Sequence, residues 1–302
     1  MLRATFLFLS RNARLRRFAE TSSVAKALSA RFIAGSTLEE ALAVCVKIRS
    51  DGIAATLDYL GENVKSLNEA AACRDVYLRV LAGLHAAGLE PNVSLKLTQF
   101  GLDFSPEACE QNVAALVEKA AEIGGFIRID MESSGYTDRT LGIVRRLHAR
   151  YGACGTVIQA YLRRSEADVK ALIEEGIRVR LCKGAYLEPP DIAFPKKSDV
   201  DKNYRVLAEQ LLTNGHYPAI ATHDERMIEI VERFATNRGI ARDRFEFQML
   251  YGIRRDLQKH LVGQGYRMRL YVPFGEAWYP YFMRRLAERP ANVLFLLRNL
   301  VR

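Results

Sequence analysis

Side chains able to do chemistry stand at the ends of a series of short apolar segments in this chain. Ser94-Leu-Lys-Leu97 presents Lys96, Ile127-Arg-Ile-Asp130 ends on Asp130, and Val157-Ile-Gln-Ala160 presents Gln159. Val179-Arg-Leu-Cys-Lys183 presents Arg180 and Lys183, and Ala219-Ile-Ala-Thr-His223 ends on Thr222 and His223. A lysine between two leucines of a buried strand needs a counter-charge or a lowered pKa. Asp130 is the natural partner, because neighbouring parallel strands lie about 4.8 Å apart. Alternation puts Arg180 and Lys183 on different faces, so at most one of them points into a shared lumen. Lys183-Gly184-Ala185 then leaves the strand, and its glycine permits close backbone approach by an anionic ligand. Further on, Tyr281, Arg284 and Arg285 share one helical face. Two guanidinium forks beside a phenol suit a carboxylate. Each group also has a purely structural reading: an ion pair inside the fold for Lys96, a core histidine for His223, a solvated basic helix for 281–285. Five histidines without H-E-x-x-H or similar spacing argue against a metal centre.

The elements that must position these groups alternate regularly. Strands are expected at 54–60, after Pro91, after Gly125, at 155–162, 178–185, 218–223, 245–250 and 268–273. Helices are expected between them: 68–87 closed by Gly88, one opening at Ser105-Pro106, 137–151, 165–176, 204–215, 225–238 and about 253–263, with 278–288 after the last strand. Thr37 and Glu40 form a capping box ahead of an apolar run to Ile48. The Pro-rich stretch 188–195 reads as a binding loop or lid, and 196–202 as a charged exposed continuation. About eight strands, each followed by a helix, indicate a (β/α)8 TIM-type barrel, whose strand ends form one polar ring around one pocket. A doubly wound sheet is the alternative, weakened because no G-x-G-x-x-G follows the first strand. Residues 1–50 read as an N-terminal helical segment and 51–302 as the barrel.

Composition narrows the class. The 302 residues are 49% hydrophobic and 26% charged, as in a globular rather than a disordered protein. The net charge of +9 is compatible with nucleic acid, an anionic membrane face or an anionic ligand. Five scattered cysteines without a C-x-x-C pair indicate a reducing compartment, hence a cytoplasmic location. No run reaches the roughly 18 apolar residues of a membrane span. The start of the chain places Phe6 to Leu9 before Arg11, Arg14, Arg16 and Arg17, the reverse of a signal peptide. It reads as a helix able to lie on a membrane surface.

Taken together, S-L-K-L around Lys96, I-R-I-D at Asp130, Q-A-Y-L at Gln159, V-R-L-C-K-G-A-Y (179–186), Thr222-His223, F-E-F-Q-M-L-Y-G (245–252) and Y-x-x-R-R (281–285) resemble the proline dehydrogenases. The resemblance runs in order from about Ala54 to the C-terminus. It is nearest to the small monofunctional bacterial enzymes and departs in residues 1–50 and in the 188–195 loop. It implies a distorted barrel holding FAD, oxidation of L-proline to Δ1-pyrroline-5-carboxylate as the first step of proline catabolism, and a membrane quinone as electron acceptor. By position it implies an ion pair of Lys96 with Asp130 beside the substrate, and a carboxylate clamp of Arg284 and Arg285. Tyr186, Leu250, Tyr271 and Tyr281 would wall the ring, and Arg180 would contact the flavin near its reactive nitrogen. Met131, Gln159, Lys183, Gly184, Ala185, Thr222, His223 and Glu288 would hold the cofactor, and Glu62 would gate the pocket.

Two other functions fit parts of the pattern. A Schiff-base barrel would use Lys96 or Lys183 as an amine nucleophile. A basic nucleic-acid-binding module would gather its lysines and arginines on one face. Here they are spread through the chain among 35 acidic residues, with no RNP-like aromatic run, so no nucleic-acid partner is expected.

Overall fold

The computed structural model describes residues 30–61 and 64–279. Helix α1 (Leu38–Ser50) opens on the expected box: Thr37 Oγ1 accepts from Glu40 N at 3.3 Å, and Glu40 Oε2 accepts from Thr37 N at 3.2 Å. Its apolar side, Ala41, Cys45 and Ile48, is buried in the same core as Ile53 and Leu57. The alternation then runs β1 (Ala54–Tyr59), α2 (Leu67–Ala86), β2 (Asn92–Leu95), α3 (Pro106–Glu122), β3 (Phe126–Ile129), α4 (Thr137–Tyr151), β4 (Cys154–Gln159) and α5 (Ser165–Glu174). It continues with β5 (Arg178–Cys182), α6 (Lys197–Asn214), β6 (Ala219–Ala221), α7 (Glu225–Asn237), β7 (Glu246–Leu250), α8 (Arg255–Gly263) and β8 (Arg267–Phe274).

The eight strands are all parallel and close in sequence order, with β1 paired to β8 from Ala54–Arg269 to Tyr59–Phe274. This is the (β/α)8 barrel. Closure follows from burial on two sides. Leu57, Val93, Leu95, Ile127, Ile129, Val179, Leu181 and Phe247 are fully or almost fully buried under the helices. Each such side chain contributes about 1.5–3 kcal/mol relative to exposure. The alternate positions turn into the lumen, where this sequence is unusually polar: Thr56 and Asp58, Ser94, Arg128, Arg180, Glu246 and Gln248, and Arg269 are all buried.

Three boundaries differ from expectation by three residues or more. β4 stops at Gln159 and β5 at Cys182, well before Leu162 and Ala185. The backbone still bonds across (Ala160 N to Cys182 O, 2.8 Å; Tyr161 N to Lys183 O, 2.9 Å), but Leu162 N turns back to Gln159 O, so both strands peel apart at the mouth. Helix α6 begins at Lys197, seven residues ahead of Tyr204, because Lys197 pairs with Asp201 one turn on. The Pro-rich loop is tied down. Ala193 bridges Leu162, Arg163 Nε donates to Pro190 O at 2.9 Å, and Glu188 accepts from Ser134 N (2.7 Å) and Oγ (2.6 Å). The expected helix beyond Tyr279, the segment 1–18, and Glu62, Tyr281, Arg284, Arg285 and Glu288 lie outside the described residues.

Candidate active site

Five charged or phenolic side chains converge at the C-terminal mouth of the barrel. β2 ends at Leu95 rather than running through Lys96. Lys96 stays extended (φ −116°, ψ 135°) before a 3-10 turn over Leu97–Phe100, so it keeps the inward direction that alternation requires. Its Nζ lies 3.6 Å from Asp58 Oδ2, 3.9 Å from Asp130 Oδ2 and 3.4 Å from Tyr271 Oη. Tyr271 in turn donates to Asp130 Oδ2 at 2.9 Å. Arg180 completes the group: Nη1 to Asp130 Oδ1 at 2.8 Å, Nη2 to Ser94 Oγ at 2.8 Å, and Cζ 5.3 Å from the centre of the Tyr271 ring. Two cations thus face two carboxylates in a nearly dry pocket, which makes their mutual attraction strong and their positions rigid.

Asp58 escaped the reading of the sequence. Its signal was there: an aspartate between Leu57 and Tyr59 in a strand expected to be buried. It is 1% exposed, and Tyr77 Oη lies 3.3 Å from its Oδ1. Tyr77 is itself fully buried, 2.9 Å from the Ser94 carbonyl, and accepts from Tyr59 N at 3.2 Å. Burial, with the neighbouring Asp58 charge, pushes its phenol well above the ordinary range.

Arg180 and Lys183 part as alternation demands. Arg180 enters the lumen, whereas Lys183 reaches outward to Asp201 on α6 (2.5 Å) and to Asp224 at the start of α7 (2.7 Å). Burial alone would raise both carboxyls, but the hydrogen bonds from Lys183, with Lys197 adding its charge, hold them below their usual range. Gly184 follows with φ +108°, and a Cβ there would overlap the Tyr161 ring, so the turn requires glycine. Ala185 and Tyr186 are exposed beside it. Across the mouth, the Gln159 amide donates to the carbonyls of Met131 (3.3 Å) and Glu132 (2.8 Å). Its Oε1 is buried without a hydrogen-bond partner. Thr222 Oγ1 accepts from Asp224 N at 3.1 Å, and His223 Nε2 accepts from the amide of Leu250 at 3.0 Å, which makes Nδ1 the protonated nitrogen of the neutral ring. Among the described residues no group of three His, Cys, Asp or Glu is placed to hold a metal ion.

Residues 41–298 match the family model described as Proline dehydrogenase. The chain belongs to the proline dehydrogenase family. Proline dehydrogenase of Deinococcus radiodurans is 45% identical over 91% of this chain and 90% of its own length. Proline dehydrogenase 2 of Bacillus subtilis is 40% identical over 98% of both. Among solved structures, proline utilization A from Bdellovibrio bacteriovorus, inactivated by N-propargylglycine, superposes with a TM-score of 0.82 at 30% identity. That match covers 87% of this chain but 32% of the longer protein, so this chain corresponds to about a third of it. Membership of the proline dehydrogenases makes the chain an oxidoreductase.

Proposed function

We propose that this chain oxidises L-proline to Δ1-pyrroline-5-carboxylate with FAD as the immediate acceptor and a quinone as the onward one. The observation that carries the reading is the convergence of Lys96, Asp58, Asp130, Arg180 and Tyr271 at one barrel mouth, beside a Lys183-Gly184-Ala185 turn in which any Cβ at 184 would meet the Tyr161 ring. The cofactor fits the residues present. The orphaned Gln159 Oε1 is a buried acceptor, which would suit a polar N–H of a bound flavin. Gln159, Met131, Arg180, Lys183, Gly184, Ala185, Thr222, His223 and Glu288 would hold the group. When bound, such a group would supply the acceptor for the two electrons that leave proline C5 as hydride.

The chain's own residues bind and orient. Arg284 and Arg285 would hold the proline carboxylate through paired hydrogen bonds. The walls would be Tyr186, Leu250, Tyr271 and Tyr281. The Asp58 and Asp130 carboxylates are balanced by Lys96 and Arg180, so the cluster offers the positive ring nitrogen of proline oriented acceptors rather than a net negative charge. That nitrogen must release a proton before C5 can become the carbon of a C=N bond. Glu62 would close the entrance. The apolar and arginine-rich stretch 1–18 would rest on the membrane face where a quinone is reached, with the barrel on the cytoplasmic side.

The two carboxylates around Lys96 favour its charged form, the opposite of what an amine nucleophile needs, so the Schiff-base alternative loses support. The purified protein should be yellow, release FAD on denaturation and lose its visible absorbance on anaerobic addition of L-proline. A colourless preparation that gains no proline-dependent activity with added FAD would refute the reading.

A further inference from the structure

Below the mouth cluster, the lumen holds a hydrogen-bonded ladder that the reaction as described does not use. Glu90, in the loop before β2 at the opposite end of the barrel, accepts from Arg269 Nη2 at 3.0 Å. Arg269 Nε bonds both oxygens of Glu246, at 2.9 and 3.1 Å. Glu246 Oε1 accepts from the side-chain amide of Gln248. Gln248 Oε1 then accepts from Arg180 Nε at 2.5 Å. Arg269, Glu246, Gln248 and Arg180 are each at most 6% exposed, so the inner rungs are shielded from bulk water.

We infer that Gln248 is a positioning residue for the reaction, fixing the plane of Arg180 through Nε, and that Glu246 sets which way the Gln248 amide faces. The inference rests on the proposed reading that Arg180 lies against substrate and flavin. A carboxylate clamped by an arginine can only accept, so Glu246 turns the NH2 of Gln248 toward itself and the carbonyl oxygen toward Arg180. Arg180 is then held by three acceptors on three strands or strand ends: Gln248 on β7 through Nε, Ser94 on β2 and Asp130 after β3 through the two terminal nitrogens. Ser94 Oγ is also 3.1 Å from Thr56 Oγ1 on β1. Three donors of one planar group, each with its own acceptor, leave the guanidinium no freedom to tilt. Without the Nε anchor only the two terminal nitrogens are held, by Asp130 and Ser94, and the guanidinium can tilt about the line joining them. An apolar side chain at 248 would remove the acceptor altogether.

The test uses full-length, FAD-loaded protein with Gln248→Met, which keeps length and removes the hydrogen bond, and Gln248→Glu, whose carboxyl, protonated toward Glu246, is isosteric with the amide and keeps an oxygen facing Nε. FAD content and thermal melting report folding. The Arg180 Nε–H signal in 15N spectra reports the bond directly, and stopped-flow flavin reduction by proline separates rate from binding. Gln248→Met is expected to lose or broaden the Nε–H signal, to slow flavin reduction at saturating proline roughly ten- to hundredfold, and to leave the concentration for half-saturation nearly unchanged. Gln248→Glu is expected to restore the signal and most of the rate. A folded, FAD-loaded Gln248→Met protein with wild-type rate and an unaltered Nε–H signal would overturn the inference. So would equal impairment of both folded variants, because the acceptor would then not be what matters. If proline fails to reduce the wild-type flavin, the proposed function falls instead, and the Nε–H comparison still decides whether Gln248 fixes Arg180.

Discussion

Lys96 is held more tightly than its strand position alone implies, and the reason is Asp58. With Asp130 as its only partner the lysine would face one carboxylate at 3.9 Å; Asp58, at 3.6 Å, supplies a second from the neighbouring strand. Asp58→Asn removes that charge from a buried site and leaves Lys96 poorly compensated. We expect kcat/KM for proline to fall roughly ten- to hundredfold, with FAD retained, as steady-state kinetics and flavin absorbance would show. Tyr77 stands behind Asp58 and accepts from the Tyr59 amide inside the core. Tyr77→Phe strands that amide and should lower unfolding free energy by about 1–3 kcal/mol in urea titration. At Gly184 the constraint is steric. Gly184→Ala must move either the turn or Tyr161, and we expect the purified variant to carry much less FAD than the wild type, read from the ratio of visible to ultraviolet absorbance.

At the scale of elements, Lys183 joins three pieces: the end of β5, the second turn of α6 through Asp201, and the N-cap of α7 through Asp224. Both aspartates have folded-state values below their unfolded ones. Their contribution is therefore fully present above the ordinary carboxylate value of about 3.9 and is lost as pH falls through the lower folded values. Asp224→Asn retains the cap to Arg226 N while deleting the charge. It should cost about 1–3 kcal/mol at pH 7 and flatten the fall in melting temperature between pH 5 and pH 3. An unchanged acid limb in that variant would show that the triad does not couple to folding. The Pro-rich loop belongs to this scale too. Its prolines restrict its conformers, and Glu188 pins it to Ser134 beside the residues that follow Asp130, so it docks rather than waves.

For the whole molecule, the charged lumen is the main departure from the apolar filling common in such barrels. Glu246 and Arg269 are a buried pair. Burial would raise the Glu246 carboxyl, but the Arg269 charge wins and holds it low. Arg128 has the opposite balance: desolvation, then the nearby Arg180 charge, pulls it down to about 9. Its Nη1 is bonded to the carbonyls of Thr156 (3.0 Å) and Arg178 (2.6 Å). Arg269→Leu leaves Glu246 without its counter-ion and should destabilise the barrel by about 3–5 kcal/mol, seen as a shifted denaturation midpoint. The membrane contact proposed for residues 1–18 is tested on the whole protein. Deleting them should abolish co-sedimentation with anionic liposomes, and unchanged binding would end that assignment.

The sequence by itself determined the barrel, because hydrophobic period, capping residues and glycine stops are local signals. Thr37 with Glu40, Ser105 with Pro106, and the helix 137–151 appear where their side chains place them. It also determined that Lys96, Asp130 and Arg180 would meet, since parallel closure brings successive strand ends to one mouth. Only the tertiary structure decided who else joins them. Asp58 reaches Lys96 across the β1–β2 neighbourhood, Gln248 reaches Arg180 across the barrel, and Asp201 and Asp224 draw Lys183 outward. These partners are set by register, strand tilt and the direction of each side chain within a closed lumen. Such quantities depend on residues 38 to 86 positions apart for Lys96 with Asp58 and Arg180 with Ser94 alike, and no local window contains them.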